Sequence, residues 1–235
     1  MTTPVDYATV VQELYIAYFG RPADANGLAN FENALLAANA PADVAGLNSA
    51  YNSSATVKGL VDAFGLSGES ARLYPAADTS NFVKAIFNNI LNRDPLPAGL
   101  AFWIDAIDHQ GLSRGNAALA IMSGALQNTS TQGLLDATAV AHKVSVAASF
   151  TSSCSTASGI LYYSGANAAA SARDMLHGVT SATDAAAYQA TIDSTVALLP
   201  IIATPPSVPS GASSEPPAVV LVGVPSHDIN GPYSG

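Results

Sequence analysis

Two arginines, Arg21 and Arg93, each open a short polar loop and stand 72 residues apart. A planar guanidinium so placed can hydrogen-bond the carbonyls that end a preceding helix, or pair with a loop carboxylate such as Asp24 or Asp94. The competing use is to present Arg to the sugar phosphates of an outer-membrane glycolipid. Asp24 with Asn26, and Asn92 with Asp94, also offer oxygen pairs to calcium, the candidate ion here. Calcium takes about six to eight oxygens, so backbone carbonyls or a partner chain would have to supply the rest. Capping of the following helix is the plainer use of the Asp24 carboxylate. Further along, Asp105, Asp108 and His109 have the i, i+3, i+4 spacing that lets three side chains face one metal ion. No second cluster at recognisable spacing completes that coordination, so a solvated helix end is the simpler reading.

The motifs of covalent and phosphoryl chemistry are missing. The chain has no Gly-x-Ser-x-Gly, no His-Glu-x-x-His and no phosphate-binding glycine loop, and His142, His177 and His227 have no partner at a readable spacing. Cys154 is the sole cysteine and sits in Ser-Ser-Cys-Ser-Thr with no basic neighbour, which predicts a structural thiol and excludes an internal disulfide. The expectation is a protein that is not an enzyme.

The two arginine loops belong to a repeat. Tyr18 to Phe31 aligns without a gap on Ile90 to Trp103, Gly27 falling on Gly99 at the same interval of 72. Upstream, Val10, Val11, Leu14, Tyr15, Tyr18 and Phe19 pair with Phe82, Val83, Ile86, Phe87, Ile90 and Leu91, spacings that trace one apolar stripe on a helix. Asp6 and Asp78 stand before the two helices as capping carboxylates. Gly20 suits a left-handed helix stop, and Pro22 or Pro95 keeps the first helix from running on. A second helix follows each loop, carrying Leu28, Phe31 and Leu35 or Leu100, Trp103 and Ile107, with Phe31 and Trp103 expected as core wedges. Third helical stretches are expected near 55–66 and 116–126, the first copy carrying an insertion with Pro41 and the polar run 48–54.

These elements predict an all-α, multi-helix bundle with a duplicated helix-loop-helix unit. The repeat units span about 5–66 and 77–126, within a helical domain of 1–203. A helical end-cap over about 133–199 begins with a long Ala-rich helix whose apolar content is Ala137, Val140, Ala141, Val144, Ala147, Ala148 and Phe150. Thr183-Asp184 is placed to start its last helix. From Thr204 to residue 235 the composition turns to Pro, Ser and Gly, which is linker chemistry and predicts an extended tail. Inside it, Val219, Val220, Leu221 and Val222 form a β-prone run able to add to a sheet edge or fill a groove, a candidate assembly tail.

The bulk composition narrows the partners. With 49% hydrophobic and 11% charged residues in 235, a packed core is readily built. A net charge of −9 with only 8 Lys and Arg, scattered singly, argues against nucleic acid. No apolar run approaches the roughly 20 residues of a membrane span, and the stretch 196–203 is broken by Pro200. The opening Met1-Thr-Thr-Pro-Val-Asp lacks the basic and apolar regions of a cleaved leader, so export by that route is not expected. An acidic, Lys-poor, Ala/Ser/Thr/Asn-rich composition fits a chain outside the cell among divalent cations.

The string Ala17-Tyr-Phe-Gly-Arg-Pro-Ala-Asp-Ala-Asn-Gly-Leu28 followed by Phe31 resembles the hallmark of the DUF4214 family of bacterial secreted proteins. Ile90-Leu-Asn-Arg-Asp94 through Gly99-Leu100 to Trp103 is a looser match. His142 to Ala147, and Gly178-Val179-Thr180 with 186–192, are similar to segments of large S-layer-like and RTX-type exoproteins, so the likeness spans roughly 5–200. It implies type I secretion and a structural, non-enzymatic role at the bacterial cell surface. That role is anchoring or self-assembly, with surface glycan, lipopolysaccharide or copies of the chain as partners. Two departures stand out: Leu96 replaces Asp24 in the second loop, and the calcium-binding glycine-rich nonapeptide of RTX domains is absent. The alternatives are a carbohydrate-active or other hydrolytic exoenzyme whose carboxylates meet only on folding, and a monomeric glycan-binding module.

Overall fold

The computed structural model describes residues 2–75 and 78–203; the Pro-rich tail, with Val219 to Val222, lies outside them. The chain enters through a 3-10 turn, Pro4–Tyr7, in which Asp6 accepts the Thr3 backbone N–H at 2.7 Å. Asp6 therefore closes the turn before the first helix and does not cap that helix, whereas Asp78 accepts the Asn81 N–H as a helix cap.

The first unit comprises α1 (Ala8–Phe19), α2 (Ala25–Ala37), α3 (Val44–Tyr51), α4 (Ala55–Gly65) and α5 (Gly68–Leu73). The second comprises α6 (Thr79–Leu91), α7 (Pro97–Asp108) and α8 (Arg114–Gln127). The end-cap is α9 (Thr131–Ser153), α10 (Ala157–Tyr162), α11 (Gly165–His177) and α12 (Gln189–Ile202). Among the described residues there is no strand, and the bundle is all-α. The insertion of the first copy is α3, begun by Asp43 capping Gly46. Asp184 caps the turn leading into α12, which itself starts at Gln189, five residues beyond the expected start.

Every residue from Val10 to Gly20 is buried except Glu13, so α1 is enclosed on all sides and the expected single stripe was too narrow. It packs on α6, α8 and α9 in a hydrophobic core that extends from Tyr7 to Leu199. Asn89 of α6 donates to the Ala17 carbonyl of α1 at 3.1 Å. Residues 17 and 89 are equivalent in the repeat, so the two copies meet through matching points, as in an isologous contact between identical subunits.

Glu13 is the partly open exception. Burial, reinforced by the Asp43 charge, pushes its carboxyl up to about 7. Below about pH 4.5 the group is protonated folded and unfolded and has no effect. As pH rises to about 7 the unfolded chain gives up the proton more readily, and stability falls. Glu13→Gln is thus expected to be neutral at pH 4 and, allowing for partial exposure, about 2 kcal/mol more stable than the wild type above pH 7. Urea unfolding at the two pH values checks this, and an equal gain at both would contradict it.

The repeat equivalence stops at the second helices. Phe31 is buried against Phe64 at a ring separation of 4.3 Å. Trp103 is only half-buried, beside a well-exposed Phe102, and Ala106 is the one fully buried residue of α7. The core-wedge expectation fails for Trp103 because α2 is covered by the 3-10 turn, α1 and α4, while α7 leans mainly on α6 and slightly on α8.

Candidate functional site

Both loops begin at a left-handed stop, Gly20 at φ 66° and Asn92 at φ 53°. Glycine takes this conformation freely, and Asn is the side chain that tolerates it best. Both arginines then turn inward. The Arg21 guanidinium forms a two-pronged pair with Glu69 of α5 at 2.9 and 2.7 Å and donates to the Pro22 carbonyl at 2.9 Å. It also lies 5.2 to 5.6 Å from the ring centres of Tyr15, Phe19 and Tyr163. Asp24 is a distant second partner at 3.9 Å, its carboxylate engaged by the Gly27 N–H at 2.7 Å as the α2 cap. Arg93 pairs at 2.6 Å with Asp136 of α9, while Asp94 accepts from Asn88. The carboxylate partners of both arginines, Glu69 and Asp136, thus lie outside the loops. The expected loop pairing fails for Asp94 and is marginal for Asp24, because each is taken by its own helix terminus.

The first loop is further fixed by a buried polar triad. Gln12 accepts the Ala23 N–H at 3.0 Å, Thr151 of α9 donates to the Ala23 carbonyl at 2.7 Å, and Gln12 donates to Thr151 at 2.9 Å. The second loop is tied by Lys143, whose ammonium reaches the Asn89 carbonyl at 2.5 Å and Asn92 Oδ1 at 2.6 Å. The oxygen pairs considered for calcium are therefore spent on internal contacts, Asn26 excepted. Asp105 pairs with His109 at 3.2 Å on an exposed face, and Asp108 turns away to accept from Thr79 at 2.6 Å. The candidate metal triad does not converge, and among the described residues no three His, Cys, Asp or Glu side chains gather to hold a metal ion.

The first loop borders a cavity of about 440 Å³ between the end of α1, the start of α2, α5 and the α10–α11 junction. Its size is that of a small-molecule site. The side chains of Tyr15, Phe19, Phe31, Phe64 and Tyr163 form its apolar wall, and the loop residues Arg21, Asp24 and Asn26 singled out in the sequence lie in it. Spacing along the chain gave no sign of Glu69, Arg72, Tyr163 and Arg173, which come from elements that only folding brings to the loop.

Burial pushes the Glu69 carboxyl up, but the Arg21 hydrogen bonds and charge, backed by Arg173 and Arg72, more than reverse this and hold it below the usual carboxylate range. Tyr163 is pushed up to about 12 by burial, against the lowering effect of Arg21. Its hydroxyl donates to the Pro22 carbonyl at 2.8 Å. Tyr15 is 5% exposed and its phenol is held protonated by burial and the Asp24 charge. Among the described residues no group hydrogen-bonds that hydroxyl, which lies over Gly27 so closely that a Cβ there would meet it at 2.1 Å. Glycine at position 27 therefore keeps the phenol and the cavity beside it unobstructed.

Among the described residues no helix is long and apolar enough to cross a membrane. Comparison with curated proteins and with solved structures returns no match. Residues 61–128, from within α4 to just past α8, match the family model described as a domain of unknown function, DUF4214. The matched segment holds the second arginine loop and Glu69, the partner of the first, so over these residues the chain is similar to that family.

Proposed function

We propose that this protein is a non-enzymatic structural module of a bacterial cell exterior, exported by type I secretion, that anchors on surface glycan and associates with copies of itself. The observation that carries the reading is the first-loop cavity. It has an aromatic wall, a nearly buried phenol without a partner among the described residues, and charged groups held by a rigid clamp. Ring faces beside fixed polar groups suit a sugar, whose own faces are alternately apolar and hydroxylated. Lipopolysaccharide is the surface glycan considered, and calcium is the ion that would act between copies of the chain.

A hydrolase is the rival, since Asp24 and Glu69 share the cavity. A glycosidase acid needs its pKa raised, however, and Glu69 is driven the other way. Cys154 is equally unsuited to attack, its buried thiol being pushed up to about 11. Large apolar side chains left exposed at Leu66, Leu96 and Phe102 favour contacts with further copies.

The test is co-sedimentation of the purified chain with extracted surface glycan, together with electron imaging with and without millimolar calcium. The expected result is glycan-bound protein and ordered assemblies, with Tyr15→Phe binding the glycan more weakly but keeping its fold. Turnover of the glycan, or a monodisperse protein that binds none, would overturn the proposal.

A further inference from the structure

The chain carries only 8 Lys and Arg against 17 Asp and Glu, yet three of its cations, Arg21, Arg72 and Arg173, line this single cavity. Two acids, Asp24 and Glu69, face them there, so the cavity is locally positive in a protein of net charge −9. The acids are occupied: Glu69 by Arg21 and, at 3.6 Å, by Arg173, and Asp24 by the α2 cap. Arg173 is also spent in part on the Phe19 carbonyl at 2.8 Å. Arg72 differs. It is exposed at the rim and, among the described residues, makes no hydrogen bond or ion pair, so its five donors are available to a ligand. In the same lining the Tyr15 hydroxyl, like the Asn26 and Asn30 amides, makes no hydrogen bond among the described residues.

Resting on the reading above that this cavity holds a glycan, we infer that the sugar unit it takes bears a negative charge, a uronate or a sugar phosphate. Arg72 receives the acid group, Tyr15 bonds a ring hydroxyl, and the sugar face lies on the aromatic wall. A planar guanidinium suits a carboxylate or phosphate, either of which it can hold with two parallel hydrogen bonds. A neutral sugar would satisfy the phenol and leave Arg72 as it is.

The probes are glucuronate oligomers, glucose 6-phosphate, glucose oligomers and inorganic phosphate, each titrated calorimetrically into the whole chain. The charged sugars are expected to bind at least about tenfold more tightly than the neutral ones, an advantage that shrinks with added salt. Arg72→Gln should erase that gap, whereas Lys84→Gln, which removes one positive charge outside the cavity, should leave it. Tyr15→Phe should weaken charged and neutral sugars alike. Which charged sugar binds better decides between carboxylate and phosphate. Equal binding of charged and neutral sugars, or a gap that survives Arg72→Gln, overturns this inference and leaves glycan anchoring standing. Inorganic phosphate binding as tightly as the sugars overturns it too, as an anion site without a sugar. Surface glycan binding as tight in Tyr15→Phe as in the wild type would remove the cavity from both readings.

Discussion

Replacing Glu69 by alanine is expected to lower the unfolding free energy by about 3–5 kcal/mol, the cost of leaving one member of a buried ion pair without its partner. The Arg21 and Glu69 side chains are only 12% and 14% exposed, so solvent screens little of the effect. Removal of the carboxylate leaves two guanidinium groups, Arg21 and Arg173, facing the space it filled, and they repel each other. For a domain of this size the loss corresponds to a melting temperature lower by roughly 10 °C. The sharper measurement is the double variant Arg21→Met/Glu69→Leu, which removes both charges and is expected to recover most of the stability. A single variant that melts within a degree or two of the wild type would mean that the clamp is decoration. A double variant as unstable as the single one would mean that Arg21 matters through its other contacts.

How far such a clamp could be read in the letters depended on distance along the chain. The Gly20 stop and the Asp24 cap are local devices whose residue types announce them; at the interval of 72 Asn92 repeats the left-handed stop, whereas Leu96 gives α7 no side-chain cap. Arg21 and Arg93 stand out in the letters because the repeat places them at the same point of both loops. Their partners do not, because Glu69 and Asp136 lie 48 and 43 residues away and no spacing rule links them. Trp103 shows the opposite failure: the alignment was right, and the environment still differed, because what covers a helix is decided by elements outside the repeat. A missed signal was nevertheless present in α9. Its buried positions 133, 136, 140, 143, 147 and 150 follow a regular helical stripe. A search for apolar residues alone passes over Asp136 and Lys143, although these two polar members of the stripe hold the second loop.

Lys143 gives the second large effect, and its sign runs against that of Glu13. The side chain is 1% exposed, and its ammonium meets only the Asn89 carbonyl and the Asn92 amide oxygen, with no carboxylate among its hydrogen-bond partners in the described residues. Burial lowers its pKa from 10.5 to about 7. Above about pH 10.5 the amine is neutral folded and unfolded, and no penalty is felt. Between about 10.5 and 7 the unfolded chain binds the proton that the folded one resists, so stability falls as pH falls, and below about 7 the loss is complete. At roughly 1.4 kcal/mol for each tenfold loss of proton affinity, the penalty amounts to a few kcal/mol, moderated by the two oxygens, which favour the charged form. Lys143→Met keeps the length of the side chain and removes the charge, so its stability relative to the wild type should be highest at pH 6 and should decline steadily to pH 10. Because both variants are followed over the same range, the titration of buried tyrosines cancels in the difference. A difference that stays flat with pH would show that the ammonium remains fully charged in the folded protein, its two oxygen partners outweighing the loss of water.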